Sequence, residues 1–557
     1  MQPRSGGEIL VASLVAQGVT HLYGVPGESY LPVLDALVDV RDRLAFVVCR
    51  QEGGAAYMAE ATGKLTGRPG VAIVTRGPGA TNASIGVHVA RQDSTPMVLL
   101  VGQVGGDMVD REAFQEVDYR RMFGAVAKWA AQIDRAERIP EYVAQAWSVA
   151  MSGRPGPVVL ALPEDMLAAQ ASVGDAPRVE APPAAADAAQ VARAHALLER
   201  ARSPLLLAGG SRWDDDACRA LATLAQRWSL PVACAFRRQD LFDARDPHYA
   251  GDLGIGANPA LARRVRDADL LIAVGERLGE MTTSGYTLLD APVPKQALVH
   301  VHPGPEEIGR VYHATVGLCA TPGAFLHAML SLKGPRAAVA WSSSPVDAHA
   351  AYESWRAPRP VPGAVDLWSI VRWLDERMPD DAILTNGAGN YTTWLHRIYR
   401  HRRPGTQLAP YAGSMGYGVP AAVAAKLVRP RATVVSWNGD GCFLMNGQEL
   451  ATAVAYGLGI VFVVIDNGMY GTIRMHQERN YPGRVSGTDL VNPDFAALAR
   501  AYGAQGETIA TTGAFAPAFE RALDRRGPTL LHVRADPQAL TMNASLDAIR
   551  DDAARAR

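Results

Sequence analysis

The sequence predicts an α/β protein of three domains, each with a central parallel sheet flanked by helices. Three observations carry that prediction. Strand-like runs alternate with helix-like runs along the whole chain. A length of 557 residues exceeds what a single hydrophobic core supports. Two stretches poor in periodic apolar residues interrupt the alternation. The first, 171–189, is rich in Ala, Pro and Asp and includes Ala181-Pro182-Pro183. The second, 337–362, holds Ser342-Ser343-Ser344-Pro345 and Arg356-Ala357-Pro358-Arg359-Pro360. Read as surface connections, they divide the chain into about 1–170, 190–335 and 360–540.

In the first segment the pattern reads helix (5–17), strand (22–23), turn, helix (31–40), strand (45–49) and helix (52–66). Strand (70–75), a glycine loop, helix (81–92) and strand (97–102) follow. The middle segment opens with Leu205-Leu206-Leu207-Ala208-Gly209-Gly210 and includes Leu270-Leu271-Ile272-Ala273-Val274-Gly275. Both are Rossmann-like strand ends without a GxGxxG fingerprint, so a structural domain and a nucleotide site are both open. The third segment repeats the rhythm: strand (382–385), loop (386–390), a helix of small residues (416–426), strands at 432–437 and 460–465, and a late strand at 529–533.

Bulk composition narrows the function. Hydrophobic residues make up 48% and charged residues 20%, as in globular enzymes. The formal charge of −1 gives no argument for nucleic acid or an anionic membrane. Cys49, Cys218, Cys234, Cys319 and Cys442 show no CxxC spacing, which fits buried thiols in a reducing compartment. The opening MQPRSGGEIL lacks a signal-type apolar run, and no apolar run reaches membrane-spanning length. The expected location is the cytoplasm.

Two short motifs bear the chemistry. Gly439-Asp440-Gly441 closes one strand-like run, and Asp466-Asn467-Gly468 closes the next. Asn467 stands 27 positions after Asp440, with a helix-like stretch between. Two parallel strands joined by one crossover helix bring both ends to the same sheet edge. That edge then carries a carboxylate, an amide oxygen and open glycine backbone, a donor set suited to Mg²⁺ or Ca²⁺ holding a diphosphate. Elsewhere, Glu52 follows Val48-Cys49-Arg50-Gln51 at a helix start. Gly70 to Asn82 reads as a strand, a sharp Gly77-Pro78-Gly79 turn and a helix start.

With GDG, the spacing and the terminal DN, the third segment resembles the metal-diphosphate motif of thiamine diphosphate (ThDP) enzymes. The resemblance implies that Asp440, Asn467 and the main-chain carbonyl of Met469 bind Mg²⁺. The first segment resembles the pyrimidine-binding domain of the acetolactate synthase large-subunit family. It implies that Glu52 exchanges a proton with the aminopyrimidine ring, so that the cofactor, not a serine or cysteine, provides the nucleophile. Gly413-Ser414-Met415-Gly416-Tyr417-Gly418 resembles the segment in which a large apolar side chain, here Met415, props the bent cofactor while backbone at Gly413 and Met415 meets its pyrimidine. Further matches place Pro26, Gly77, Asn390, Tyr391, Gly439, Gly441, Cys442 and Gly471 at the cofactor. The three domains are then pyrimidine-binding, central Rossmann-like and diphosphate-binding. The likeness runs from about Gly6 to Asp536. It implies a homodimer or homotetramer whose active sites are shared between subunits.

Departures from the family pattern lie around the substrate. Gln51 stands where His is usual, and Glu28 where a second Gly is usual. Glu28 reads either as a substrate or acid-base contact or as a helix-start carboxylate. Gln115, within Phe114-Gln115-Glu116, is a further substrate candidate. His476-Gln477 replaces the family's Trp-Gln pair, so His476 is either a titrating substrate contact or a surface residue. Arg474 reads as a carboxylate binder or a solvated charge. The flavin segment of FAD-binding synthases, of RFDDRVTG type, is replaced by Arg277-Leu278-Gly279-Glu280-Met281-Thr282. FAD, ADP or CoA, or no ligand remain open for the central domain. The leading expectation is ThDP- and Mg²⁺-dependent decarboxylation of a small 2-oxo acid with carboligation to an acceptor carbonyl. A 2-oxo-acid decarboxylase or C–C lyase is the runner-up. A catalytically silent binding or regulatory subunit and an NAD dehydrogenase are the rivals from other classes.

Overall fold

The computed structural model describes residues 2–181 and 184–556, so Pro182 and Pro183 of the first expected connection lie outside the described residues. Three six-stranded sheets form the frame, and every strand pairing within them is parallel. Parallel strands are covered by helices on both faces, which demands continuous apolar runs rather than alternation. Leu270–Val274 and Met97–Gln103 are accordingly buried at every residue.

The first sheet runs, in space, Ala45–Val48, His21–Gly24, Gly70–Val74, Met97–Gln103, Pro157–Pro163, Trp129–Gln132. Numbered by chain position, that is 2-1-3-4-6-5. The third sheet runs Gln407–Leu408, Ile383–Asn386, Val434–Gly439, Val461–Asp466, Thr529–Arg534, Gln505–Ile509, which is the same 2-1-3-4-6-5 order. The middle sheet is wound as 3-2-1-4-5-6, from Tyr249–Asp252 through Val232–Cys234, Pro204–Ala208, Leu270–Val274 and Ala297–His302 to Val316–Cys319. In each, strand order reverses beside the first strand, and ligands of such sheets bind at that reversal, outside the C-terminal strand ends.

The chain divides into two compact units. One comprises Met1–Pro182, Pro410–Pro430 and Asn446–Leu458, and holds the first sheet. The other comprises Pro183–Ala409, Arg431–Met445 and Gly459–Arg557, and holds the other two.

Two local expectations are corrected. The connection between Val434–Gly439 and Val461–Asp466 is two short helices, Asp440–Phe443 and Glu449–Ala455, rather than one. Asn446 lies between them, buried, and its side-chain amide donates to the Gly416 carbonyl at 3.2 Å. The stretch 337–362 is not all linker, because helix Ser344–Trp355 occupies its middle. Its Ser-Ser-Pro composition is a helix start with proline in the first turn. Ala348 and Tyr352 are buried, and Tyr352 meets Tyr249 edge-on at 4.8 Å between ring centres. Three buried positions gave too short a pattern to register as periodicity. Among the described residues no helix is long and apolar enough to cross a membrane.

Candidate active site

At the third sheet's reversal the loops after Ile383–Asn386 and Val434–Gly439 are neighbours. Asp440 begins the helix that follows the second of these strands and is buried. Its Oδ2 accepts from the Gly468 amide at 2.9 Å and from the Asn492 side-chain amide at 2.8 Å, while Oδ1 accepts from the Gly441 amide at 2.9 Å. The same Asn492 nitrogen also donates to Asp466 Oδ1 at 2.7 Å, bridging the two carboxylates. Asp466 Oδ2 lies 2.8 Å from His532 Nε2. Burial, with the Asp466 charge nearby, pushes the Asp440 carboxyl up to about 6. Burial also works on Asp466, but the bonds from His532 and Asn492 outweigh it and hold that carboxyl below the usual range.

A covered carboxylate raised by a second one is a place where a hard cation gains most. Asn467 and Met469 stand on the adjoining loop, with Met469 bridged to Asp489 and the Asn467 amide 3.3 Å from where a Gly471 Cβ would lie. Among the described residues no group of three or more His, Cys, Asp or Glu is arranged around a metal position. The carboxylate, amide and carbonyl oxygens carried by these two adjoining loops are hard donors, the kind that Mg²⁺ takes.

The remaining expected diphosphate residues lie around this edge. Thr472, beside Gly471, accepts from the Asn390 amide at 2.9 Å and donates to its side-chain oxygen at 3.0 Å. Tyr391 donates to Cys442 Sγ at 3.0 Å and accepts from the Gly387 amide at 3.2 Å. Its ring fills the space beside Gly439, where a Cβ would come within 2.6 Å of it. Gly441 is packed in the same way against Tyr470, also at 2.6 Å.

On the first sheet, Glu52 is the first residue of helix Glu52–Thr66, and Gln51 caps that helix by accepting from the Gly54 amide at 3.1 Å. The side chain that replaces the family's histidine is thus a helix cap. Glu52 Oε2 accepts from the Asn82 side chain at 3.0 Å. Gly77, with φ of 62°, adopts the left-handed turn that admits helix Pro78–Asp93. Its amide donates to Tyr119 at 2.7 Å, and a Cβ there would press within 2.8 Å of Gln115. Gln115 and Gly77 are therefore adjacent. Pro26 and Glu28 are exposed, Glu28 opening the single 3₁₀ turn Glu28–Tyr30. Burial, with the Glu52 charge as a second cause, raises the Tyr30 hydroxyl.

Gly413 and Met415 belong to the same compact unit. Gly413 has φ of 65° and open space where a side chain would stand. Met415 is half-buried rather than part of the core. Tyr57, one turn and a half beyond Glu52, bonds Ser414 Oγ at 2.5 Å and donates to the Met415 carbonyl at 3.3 Å. Asp93 accepts from the Tyr411 and Ala412 amides at 2.8 and 3.0 Å, and Tyr417 donates to Glu60 at 2.5 Å. Lys64 neutralises both acids, 2.5 Å from Asp93 and 3.2 Å from Glu60. Burial works against its charge, but the two carboxylates outweigh it and raise its pKa.

His476 is exposed on helix Gly471–Asn480. Arg474 is engaged by Glu478 and Asp489, each at 3.1 Å, rather than solvated. Sequence reasoning gives Asn492, His532 and Asp466 no role at this edge. Asp466 adjoins Asn467 and was within reach of the motif, whereas His532 sits in a buried strand with no local signal.

Comparison with known proteins matches the chain domain by domain. The thiamine pyrophosphate enzyme family models match in order: the N-terminal TPP binding domain at 4–122, the central domain at 191–329 and the C-terminal TPP binding domain at 387–533. The chain is 34% identical over 534 residues to the acetolactate synthase isozyme 2 large subunit of Escherichia coli, covering 96% of each chain. It is 33% identical to the acetolactate synthase large subunit of Parasynechococcus marenigrum, covering 96% of this chain and 88% of that one. To the probable acetolactate synthase large subunit of Methanocaldococcus jannaschii it is 30% identical, covering 96% and 93%. The chain therefore belongs to the thiamine pyrophosphate enzyme family, as a ThDP-dependent enzyme resembling acetolactate synthase large subunits.

Proposed function

We propose that this enzyme decarboxylates a small 2-oxo acid and joins the remaining fragment to an acceptor carbonyl, using ThDP and Mg²⁺. The observation that carries the reading is Asp440, held at adjoining parallel strand ends by the Gly468 amide and Asn492, beside Asn467. In this reading Asp440, Asn467 and the Met469 carbonyl hold the metal. Asn390, Tyr391, Gly439, Gly441, Cys442 and Gly471 form the diphosphate edge, with Pro26 and Gly77 at the other end of the cofactor. Bound ThDP supplies a carbon nucleophile and an electron sink. Glu52 holds and returns the proton at the cofactor's ring nitrogen, and Met415 and the Gly413 backbone fix the pyrimidine. Glu28, Gln115 and His476 are assigned to the substrate side.

The domains are proposed as 1–170 for pyrimidine binding, 190–335 as central and 360–540 for diphosphate binding. The working unit is proposed as a homodimer or homotetramer in the cytoplasm, with each active site built from two subunits.

The central crevice does not fit a flavin pyrophosphate. Such a group needs open amides at the reversal between Pro204–Ala208 and Leu270–Val274. There Gly210 abuts the Gly275 carbonyl, which a Cβ would approach to 1.8 Å. The buried Glu276 carboxylate stands 2.4 Å from where a Gly209 Cβ would lie and accepts from Thr282 at 3.1 Å. The Trp213 indole donates to the Gly209 carbonyl at 2.7 Å, and Arg238 donates to that of Gly210. A carboxylate and an indole thus pack against the glycines of this reversal, and we infer that the central domain carries no flavin. Purified enzyme should lack flavin absorbance, and saturable FAD binding would contradict this.

The departures from the family pattern on the substrate side, Glu28 and His476, favour one second reading, decarboxylation or C–C cleavage without ligation. Incubation with pyruvate, with and without an aldehyde or a second 2-oxo acid, decides between them. Carbon dioxide with a ligated hydroxy-ketone supports the carboligase. Simple aldehyde as the sole product overturns it.

A further inference from the structure

The turn that delivers Glu52 is strapped from outside its own sheet by helix Glu449–Ala455, which lies in the same compact unit. Glu449 is fully buried. Its Oε1 accepts from the backbone amides of Arg50 and Gln51, both at 3.0 Å, and its Oε2 accepts from Thr452 at 2.6 Å. These are the two amides immediately before Glu52, at a helix N-terminus, where a carboxylate is favoured by free N–H groups and the helix dipole. Gly54 makes room, since a Cβ there would fall 2.6 Å from Glu449 Oε1. At the other end of the helix, Tyr456 accepts from the Val48 amide at 2.9 Å and donates to the Phe46 carbonyl at 3.2 Å. Strand end and turn are thereby held at two points, one full side of the path from Phe46 to Gln51.

Among the described residues no hydrogen bond of Glu449 goes to the Glu52 side chain or to a position assigned to cofactor. Apart from the Thr452 hydroxyl on its own helix, its bonds end on backbone. We propose that Glu449 is a positioning residue for Glu52, fixing the strand-to-helix turn so that the Glu52 carboxyl keeps one aim. The proposal rests on the reading of Glu52 as the proton-handling group. Displacement of a proton-transfer partner by about 1 Å costs on the order of 100-fold in rate. A buried acceptor left out would also leave the Arg50 and Gln51 amides without a protein partner.

The test uses full-length holoenzyme with ThDP and Mg²⁺ and reads three quantities in E449A, E449Q and E52Q. The first is hydrogen–deuterium exchange of a peptide covering 46–56, which E449A should accelerate relative to the parent. The second is exchange of the cofactor's C2 proton, which E449A should slow by about 10- to 100-fold. The third is ThDP affinity, which E449A should leave within about threefold. E449Q keeps an oxygen for both amides while its NH₂ faces the Thr452 hydroxyl, so it should restore most of the C2 exchange. Unchanged C2 exchange in folded E449A, or equal losses in E449A and E449Q, would overturn the proposal. If E449A does not fold, G54A takes its place, since its methyl displaces the Glu449 carboxyl. Slower C2 exchange with intact ThDP binding is then expected, and an unchanged rate overturns it. Unchanged C2 exchange in E52Q would instead sink the reading of Glu52 itself.

Discussion

The first and third sheets have one strand order and two chemistries. Both run 2-1-3-4-6-5, and both gather loops outside the strands beside their reversal. On the third sheet the loop after the third strand carries a carboxylate, Asp440, braced by amides and facing a second acid through Asn492. On the first sheet the corresponding loop carries Gly77 in a left-handed turn, and the carboxylate, Glu52, enters from the turn after the second strand. In the proposed reading one edge anchors charge and the other delivers a single proton-exchanging group. Topology fixes where a site can form, and the residues at the strand ends decide what it does.

Substitutions on the two sheets should therefore fail differently. Asp440→Ala should raise the dissociation constant of ThDP at fixed Mg²⁺ by about 100-fold or more, since it removes the charged metal ligand. A calorimetric titration checks this, and normal affinity would count against the ligand role. Asn492→Ala should cost roughly 10-fold in the same titration, because Asp440 and Asp466 then face each other without the bridging amide. An unchanged value would make Asn492 structural only.

On the first sheet, Lys64→Met should leave Glu60 and Asp93 buried without their cation. Breaking such a pair costs about 3–5 kcal/mol, read as a lowered urea midpoint. An unshifted midpoint would show that the segment bearing Gly413 and Met415 is anchored by other contacts. The smallest effect expected is pH-dependent. Arg550, with the Gly483 amide and Arg474, holds the Glu478 carboxyl down at about 2. Because that lies below the unfolded value of about 4.3, its contribution is complete above about pH 5 and is lost as the pH falls toward 2. Glu478→Gln should therefore lower the melting temperature more at pH 7 than at about pH 3.5. An equal gap at both would contradict the ion-pair assignment.

Much of the fold was legible because parallel strands declare themselves. Buried runs such as 270–274 and 461–465 read as strands without any partner in view, and the helix 52–66 was read to the residue. The motif at Asp440 and Asn467 was legible because both lie at strand ends, where spacing converts directly into proximity. What was not legible depends on contacts between distant segments. Asn492 reaches Asp440 over 52 residues, and Glu449 reaches the amide of Gln51 over 398. Neither has a local pattern that a window of sequence reveals. Helix Ser344–Trp355 was hidden for a different reason: its serines and proline suit a loop, and Tyr249 supplies the partner that makes it a helix.

The most direct test of one edge for anchoring and another for proton transfer is Glu52→Gln, titrated with ThDP and Mg²⁺ while the cofactor's C2 proton exchange is followed by NMR. The expected result is a dissociation constant within about threefold of the parent and an exchange rate lower by about 100-fold or more. Exchange at the parent rate, or loss of cofactor binding along with it, would contradict the division of labour between the two sheets.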